Sequence, residues 1–410
     1  MSDSDLSDEL YVPDIEDSES EELTDDIEDE FLLDEPREVS GGWHLISDVF
    51  SDERPEDIPE FNTDYYGLNP ALGALPFSSP SDAFKAYFDD TLMNKLCEWT
   101  NARAGMYFAH HPEKRGKVNS LKWRNVTQDD MFTFISLLIG MGICKLPKMA
   151  HYWQHDWLIK GPPVFCKEVM SRDRFFSILK FLRFSSPENV KKDDPKTRIE
   201  EYLDVLRERS QTVMKPGKHI AIDEALIMWR GRLGFRQYIK TKRARFGVKA
   251  FVLCPSDEEW QGYSWNFHLY YGKDTYMIED PNASRLSVSE RIVVFLMKDL
   301  LNAGRHVITD NWYTSLRLAD YLETQRTLLT GVVRSGRGPP KEVQEMKLDK
   351  KQSVFARKGN ALVVKWMDKK DVCVLTTKYT ANIVEHKKTY FGNKTVFFNT
   401  LKNVIRKWEV

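Results

Sequence analysis

The spacing of apolar residues changes period along this chain, and the change divides it. From Ala83 onward, Phe84, Tyr87, Phe88, Leu92, Leu96 and Trp99 recur at intervals of three and four, which predicts an amphipathic helical stretch. Met131 to Ile143 repeats the pattern, and Arg172 to Phe184 and Ile199 to Val213 predict further helices. Beyond Lys215 the period falls to two: His219 to Met228, Gly247 to Leu253 and Tyr263 to Tyr271 predict strands, the last two rich in aromatic and β-branched residues. Ser287 to Leu301 predicts a helix with Ile292, Phe295, Leu296 and Leu300 on one face. Arg305 to Thr309 predicts a strand closed by Asp310, Thr314 to Thr324 a helix, and Thr327 to Val333 a fifth strand ending at Arg334-Ser335-Gly336.

The resulting order, β-β-β-α-β-α-β, is a meander followed by alternating helices and strands. It predicts an α/β fold with a ribonuclease-H-like core over 216–338, preceded by a helical region over 81–215. Ser353 to Ala356, Ala361 to Trp366 and Val372 to Thr376 predict short strands of a small β-rich insertion over 339–385. Residues 1–80, acid-rich and interrupted by Ser, Pro and Gly, predict a disordered acidic tail, because they offer too little apolar surface to offset the entropy of ordering.

Composition sharpens this division. At 410 residues, 41% hydrophobic and 12% aromatic, the chain can bury a large core. Residues 1–60 carry 24 Asp and Glu against Arg37 and Arg54, whereas residues 61–410 carry 57 Lys and Arg against 38 acids. A basic body points to a polyanionic partner, since each Lys or Arg set on a phosphate releases condensed counterions; a solvated surface is the equally open alternative for the charge excess alone. The acidic tail reads either as a solubilising tether or as a DNA mimic that competes for the basic face. Cys97, Cys144, Cys166, Cys254 and Cys373 lack the paired spacing of zinc or redox motifs, which fits a reduced intracellular compartment. No run of eighteen apolar residues appears and the N-terminus is acidic, so neither a membrane span nor a secretory or transit signal is expected.

Two carboxylates stand out. Asp223 sits inside the apolar strand Ile220-Ala221-Ile222-Asp223-Glu224, and Asp310 ends another, Val307-Ile308-Thr309-Asp310. A lone Asp ordinarily caps a strand or makes a structural hydrogen bond. Two projecting from adjacent strands can hold Mg²⁺ or Mn²⁺, hard cations that accept one or two carboxylates and leave room for phosphate oxygens. Paired metals then serve in-line phosphoryl displacement, the chemistry of DNA cleavage and joining. Glu224 alternates to the other face and is not expected to be a ligand. Basic and aromatic residues interleave around these strands: Trp229-Arg230-Gly231-Arg232, Arg236, Tyr238, Lys240, Lys242, Arg243, Arg245 and Lys249, extended by Arg334, Arg337 and Lys341. This suits phosphate contacts and base stacking.

Several stretches carry a family resemblance: Ala221-Ile222-Asp223-Glu224 with Arg230-Gly231-Arg232, Phe246-Gly247-Val248-Lys249, Thr309-Asp310-Asn311-Trp312-Tyr313-Thr314-Ser315 and Gly331-Val332-Val333-Arg334. Met170-Ser171-Arg172-Asp173-Arg174-Phe175 agrees in the helical part. From about Ala83 to Thr377 the sequence resembles piggyBac transposases and the proteins derived from them. The resemblance implies that Asp223 and Asp310 are the first two of three catalytic, metal-holding aspartates in cut-and-paste transposition at TTAA targets. It further implies a nuclear protein whose helical region serves DNA binding and dimerisation, with double-stranded DNA and a second copy of the chain as partners.

The family's third Asp follows a Tyr-Asn-Lys-x-Met-Gly-Gly-Val-Asp motif that this sequence lacks, as it lacks the family's cysteine-rich zinc module. Asn403 to Val410, read two bases later with suitable codons, gives Asn-Lys-Glu-Met-Gly-Gly, so 386–410 is read as frame-shifted or truncated sequence, which the cDNA tests. The function expected is a DNA-binding transposase-derived protein with an incomplete catalytic set. The alternatives are an active transposase whose gene is incompletely read, and a domesticated chromatin or protein-interaction protein in which the carboxylates are relics.

Overall fold

The computed structural model describes residues 38–48, 52–72, 79–114, 123–155, 161–229, 231, 233–239, 245–257, 259–272, 285–350, 352–367, 370–381, 385–390 and 393–398. Three short strands come first, β1 (Glu38–Val39), β2 (Trp43–Leu45) and β3 (Gly67–Leu68). Five helices follow: α1 (Pro80–Tyr87), α2 (Asp90–His110), α3 (Gln128–Ile143), α4 (Arg172–Phe181) and α5 (Glu200–Val213). The pattern that starts at Ala83 is thus two helices. Asp89 starts the second by accepting a hydrogen bond from Leu92 N at 2.9 Å, the usual role of a residue whose short acceptor satisfies an otherwise unpaired first-turn N–H.

Leu92, Leu96 and Trp99 of α2, Met131, Phe134 and Leu137 of α3, and Phe175 and Ile178 of α4 share one buried cluster. Each fully buried side chain of this kind contributes roughly 1.5–3 kcal/mol. Asp130 of α3 ties that helix to α4 and to the segment preceding α3, accepting from Arg174 at 2.8 Å and Arg124 at 2.9 Å. None of the described helices is long and apolar enough to cross a membrane.

Beyond α5 come β4 (Met214–Lys215), β5 (His219–Met228), β6 (Gln237–Tyr238), β7 (Phe246–Pro255) and β8 (Asn266–Leu269). They are followed by α6 (Val288–Met297), β9 (His306–Thr309), α7 (Leu316–Thr324), β10 (Leu328–Val332) and α8 (Lys341–Glu345). The described chain closes with β11 (Ser353–Lys358), β12 (Ala361–Met367), β13 (Asp371–Thr376) and a separate hairpin, β14 (Glu385–Tyr390) with β15 (Asn393–Phe398). The strands and helices expected between His219 and Val333 are all present, in the expected order.

The fold is mixed α/β, built on one eleven-stranded mixed sheet. β5 lies toward one end of it, antiparallel to β7 and parallel to β9, and β10 runs parallel to β9. β8 pairs antiparallel with β7, so five strands run in the order β8-β7-β5-β9-β10. One face carries Ile220, Ile222, Phe251, Leu253, Val307 and Leu329, packed with Ile292, Leu296, Leu318 and Leu322 of α6 and α7. Between strands, Gly331 of β10 is a close approach: a Cβ there would collide with Thr314 Oγ1 and the Thr309 carbonyl, one residue from Asp310. Gly331→Ala should cost about 1–3 kcal/mol through forced overpacking, readable as a lowered urea midpoint with an unchanged m-value.

Two expectations need correction. The strands of the 339–385 region do not form a separate insertion, because β13 pairs antiparallel with β10 and β11 to β13 extend the main sheet. Nor do residues 38–48 and 52–72 belong to a disordered tail. β2 pairs with β11, and Trp43 and Leu45 enter the main core, 2% and 8% exposed. Asp52 takes the Arg357 guanidinium at 2.6 Å and 2.5 Å. A strand this short pairs because an open sheet edge offers unpaired N–H and C=O groups and a slot for the indole. Residues 1–37 lie outside the described residues.

Candidate functional site

The parallel ladder between β5 and β9 aligns His219 with His306, Ile220 with Val307, Ala221 with Ile308 and Ile222 with Thr309. One step further the same register sets Asp223 beside Asp310. Alternation puts both on the face opposite the Ile220, Ile222 and Val307 core. Both acids line one cavity of about 260 Å³, walled also by Ala225, Val252, Cys254 and Ser264. It opens at the carboxyl ends of the parallel strands, where open α/β sheets bind ligands.

The electrostatics agree with this proximity. Burial pushes the Asp310 carboxyl above its ordinary value; the charges of Asp223 and Glu224 add to the rise, against hydrogen bonds from the Trp312 and Tyr313 backbone. Trp312 N donates to Asp310 Oδ1 at 2.8 Å and Glu224 N to Asp223 Oδ1 at 2.7 Å, so each carboxylate is oriented by the main chain. A cation would relieve the repulsion between the acids, and two carboxylates facing one cavity fit a hard cation whose other positions go to phosphate oxygens and water. Among the described residues no cluster of three or more His, Cys, Asp and Glu forms a metal site. Burial pushes the Cys254 thiol up to about 11, which keeps it a thiol and an unsuitable nucleophile.

Glu224 lies on the opposite face, as the alternation predicts, paired with Lys249 at 3.3 Å. Lys249 sits over Phe251 at 5.0 Å and Trp312 at 4.8 Å, and these two rings stack with centroids 5.5 Å apart. The turn after Asp310 is thereby clamped from β7. Glu290, 1% exposed, clamps it from α6: it caps its own helix through Ser287 N and accepts from Ser315 Oγ at 2.6 Å and Arg317 Nε at 2.9 Å. Sequence reasoning missed this clamp, although Ser287-x-x-Glu290 is a visible capping-box pattern.

Burial works to raise the Glu290 carboxyl, but Arg317, Ser315 and the Ser287 backbone outweigh it and hold it below 4.5. A carboxyl depressed by folding adds stability above its unfolded pKa and loses it as pH falls through the folded value. Glu290→Gln should therefore cost about 1–3 kcal/mol at neutral pH, with the gap to wild type closing in acid. Urea melts across the acid limb measure it.

A family described as "Transposase IS4" matches residues 79–404. PiggyBac transposable element-derived protein 3 of Homo sapiens is 24% identical over 310 residues, 73% of this chain and 48% of that protein. PiggyBac transposable element-derived protein 2 of Homo sapiens is 22% identical over 304 residues, 71% of this chain and 47% of that protein. A cryo-EM structure of the piggyBac transposase synaptic complex with hairpin DNA superposes with a TM-score of 0.65 at 25% identity, covering 81% of this chain and 66% of that one. The chain belongs to this transposase family, in its piggyBac branch. It spans about half the length of the curated relatives it matches.

On this piggyBac-type domain the expected basic residues fall into three groups. Arg230, Arg232, Lys240, Lys242 and Arg243 lie outside the described residues. Arg236 and Arg245 are exposed beside Ile227, Met228, Trp229, Tyr238 and Phe246, all 45% exposed or more, and Arg236 lies over the Phe246 ring at 5.1 Å. Arg334, also exposed, donates to Asn311 Oδ1 at 2.7 Å and so stands next to Asp310. Lys249 and Arg337 are engaged within the fold. The first pairs with Glu224, and the second donates to Trp312 O at 2.6 Å and Ser289 Oγ at 3.2 Å.

Proposed function

We propose that this chain is a transposase-derived DNA-binding domain with a ribonuclease-H-like core, in which Asp223 and Asp310 hold Mg²⁺ or Mn²⁺ against a DNA phosphate. What carries the reading is the step from Ile222–Thr309 to Asp223–Asp310 in a parallel ladder, with both carboxylates on one cavity. The strand order β8-β7-β5-β9-β10, antiparallel then parallel around β5, supports the core assignment. When bound, the cation activates an attacking oxygen and stabilises a leaving one.

The chain's own residues set up the rest. Backbone N–H groups aim the two carboxylates, and the Glu224–Lys249–Trp312 and Glu290–Ser315 contacts hold the Asp310 turn. Arg334 at the rim neutralises an incoming phosphate, and the aromatic tip of β5 to β7 with Arg236 and Arg245 supports the duplex. TTAA-containing duplex DNA as target, assembly as a homodimer and action in the nucleus complete the proposal, on the family likeness.

Mg²⁺-dependent nicking of a TTAA duplex by the full chain, abolished by Asp223→Asn, is the expected result. Salt-dependent DNA binding without nicking would instead favour a second reading, a binding protein that keeps the site as a relic.

A further inference from the structure

Away from the aspartates, the helical region forms an open-sided cavity of about 590 Å³ between the C-terminal half of α2, the segment leaving α4 and the entry to α5. Arg103, Arg183 and Arg198 line it, together with apolar surface from Phe184, Pro187 and Ile199. Among the described residues none of the three arginines forms an ion pair. Arg183 is half-buried and donates to the neighbouring Leu182 carbonyl at 2.8 Å. Burial, and then the charges of Arg103 and Arg198, hold its guanidinium below its ordinary value.

Two acids of the same segment, Glu201 and Asp194, are engaged elsewhere, whereas Glu188 beside Pro187 is exposed. Glu201 accepts from Ser186 N at 3.1 Å and Asn189 Nδ2 at 2.8 Å, and Asp194 Oδ1 accepts from Lys196 N at 3.3 Å. Three guanidiniums gathered around one space repel one another unless an anion joins them. Their planar forks match phosphate oxygens in pairs. The volume far exceeds one inorganic phosphate and lies in the range of ligand sites, roughly 300–1,000 Å³.

We propose that this cavity binds a nucleotide, its phosphate held by Arg103, Arg183 and Arg198 and its sugar and base against Phe184, Pro187 and Ile199. The site is separate from the aspartate pair and needs no cation. A unit of a DNA strand and a free nucleotide present the same chemistry.

The test uses the full chain in EDTA, with a labelled single-stranded oligonucleotide followed by anisotropy and with thymidine monophosphate and inorganic phosphate as competitors. Arg183→Gln with Arg198→Gln should weaken oligonucleotide binding about tenfold or more. It should also flatten the plot of log affinity against log salt by about 0.7 for each phosphate that is no longer neutralised. Arg198→Gln alone, an exposed position, should weaken binding by a smaller factor and keeps the test valid if the double variant melts early.

Displacement of the oligonucleotide by thymidine monophosphate in wild type assigns the cavity to free nucleotide. An arginine-dependent complex that the monophosphate does not displace assigns it to a strand. Unchanged affinity and salt slope in both variants overturns the proposal, and equal displacement by inorganic phosphate overturns its nucleotide part. Repeating the comparison in the Asp223→Asn background should give the same arginine effect, which separates this site from the aspartate site.

Discussion

Asp310→Asn should raise the melting temperature in EDTA and abolish the stabilisation that Mg²⁺ gives the wild type. Folding brings Asp310 into a partly dry cavity beside Asp223 and Glu224, and its carboxyl is held above its unfolded value as a result. The sign follows from linkage: the folded chain binds the proton more tightly, so stability falls as pH rises from 3.8 through the raised folded value, and at neutral pH the ionised pair opposes folding. Removing one charge relieves that opposition. On the proposed function the substitution also removes a cation ligand, which should weaken cation affinity by more than the roughly 10–100-fold typical of losing an outer-shell partner. Asp223→Asn should behave alike. Thermal melts in EDTA and in Mg²⁺ read both effects, and an unchanged melting temperature in EDTA would remove the repulsive pair.

The second large effect lies far from the site. Trp43→Ala should cost about 3–5 kcal/mol, because an indole leaves a cavity in the main core that the sheet edge cannot close. Trp43 is 2% exposed and belongs to the cluster that contains Ile222 and Val307, the residues beneath the aspartates. Urea unfolding of the full chain measures the cost, and a loss below about 0.5 kcal/mol, the range of an ordinary surface change, would return residues 38–48 to the tail.

What the sequence disclosed and what it hid have physical causes. The aspartate pair was legible because Ile220 to Asp223 and Val307 to Asp310 are strand patterns in which one acid interrupts an apolar alternation. Parallel neighbours in that order place the interruptions together. The packing of Trp43 was not legible: three residues of strand are shorter than any periodic window, and the surrounding acids dominate the composition.

The partners of Lys249 in the fold were not legible, because charge is local information whereas Glu224 and Trp312 come from two other segments. The union of β10 with β13 was hidden for the same reason, since pairing between strands that far apart leaves no trace in the spacing of either. The arginine cavity likewise gathers Arg103, Arg183 and Arg198 from three segments.

Divalent cation uptake decides the central claim most directly. Free Mn²⁺ is titrated by electron paramagnetic resonance into the full chain, with and without a TTAA duplex, for wild type and for Asp223→Asn with Asp310→Asn. Saturable uptake by the wild type, strengthened by the duplex and lost in the double variant, is the predicted outcome. Equal uptake by both proteins would contradict a cation held between these two carboxylates.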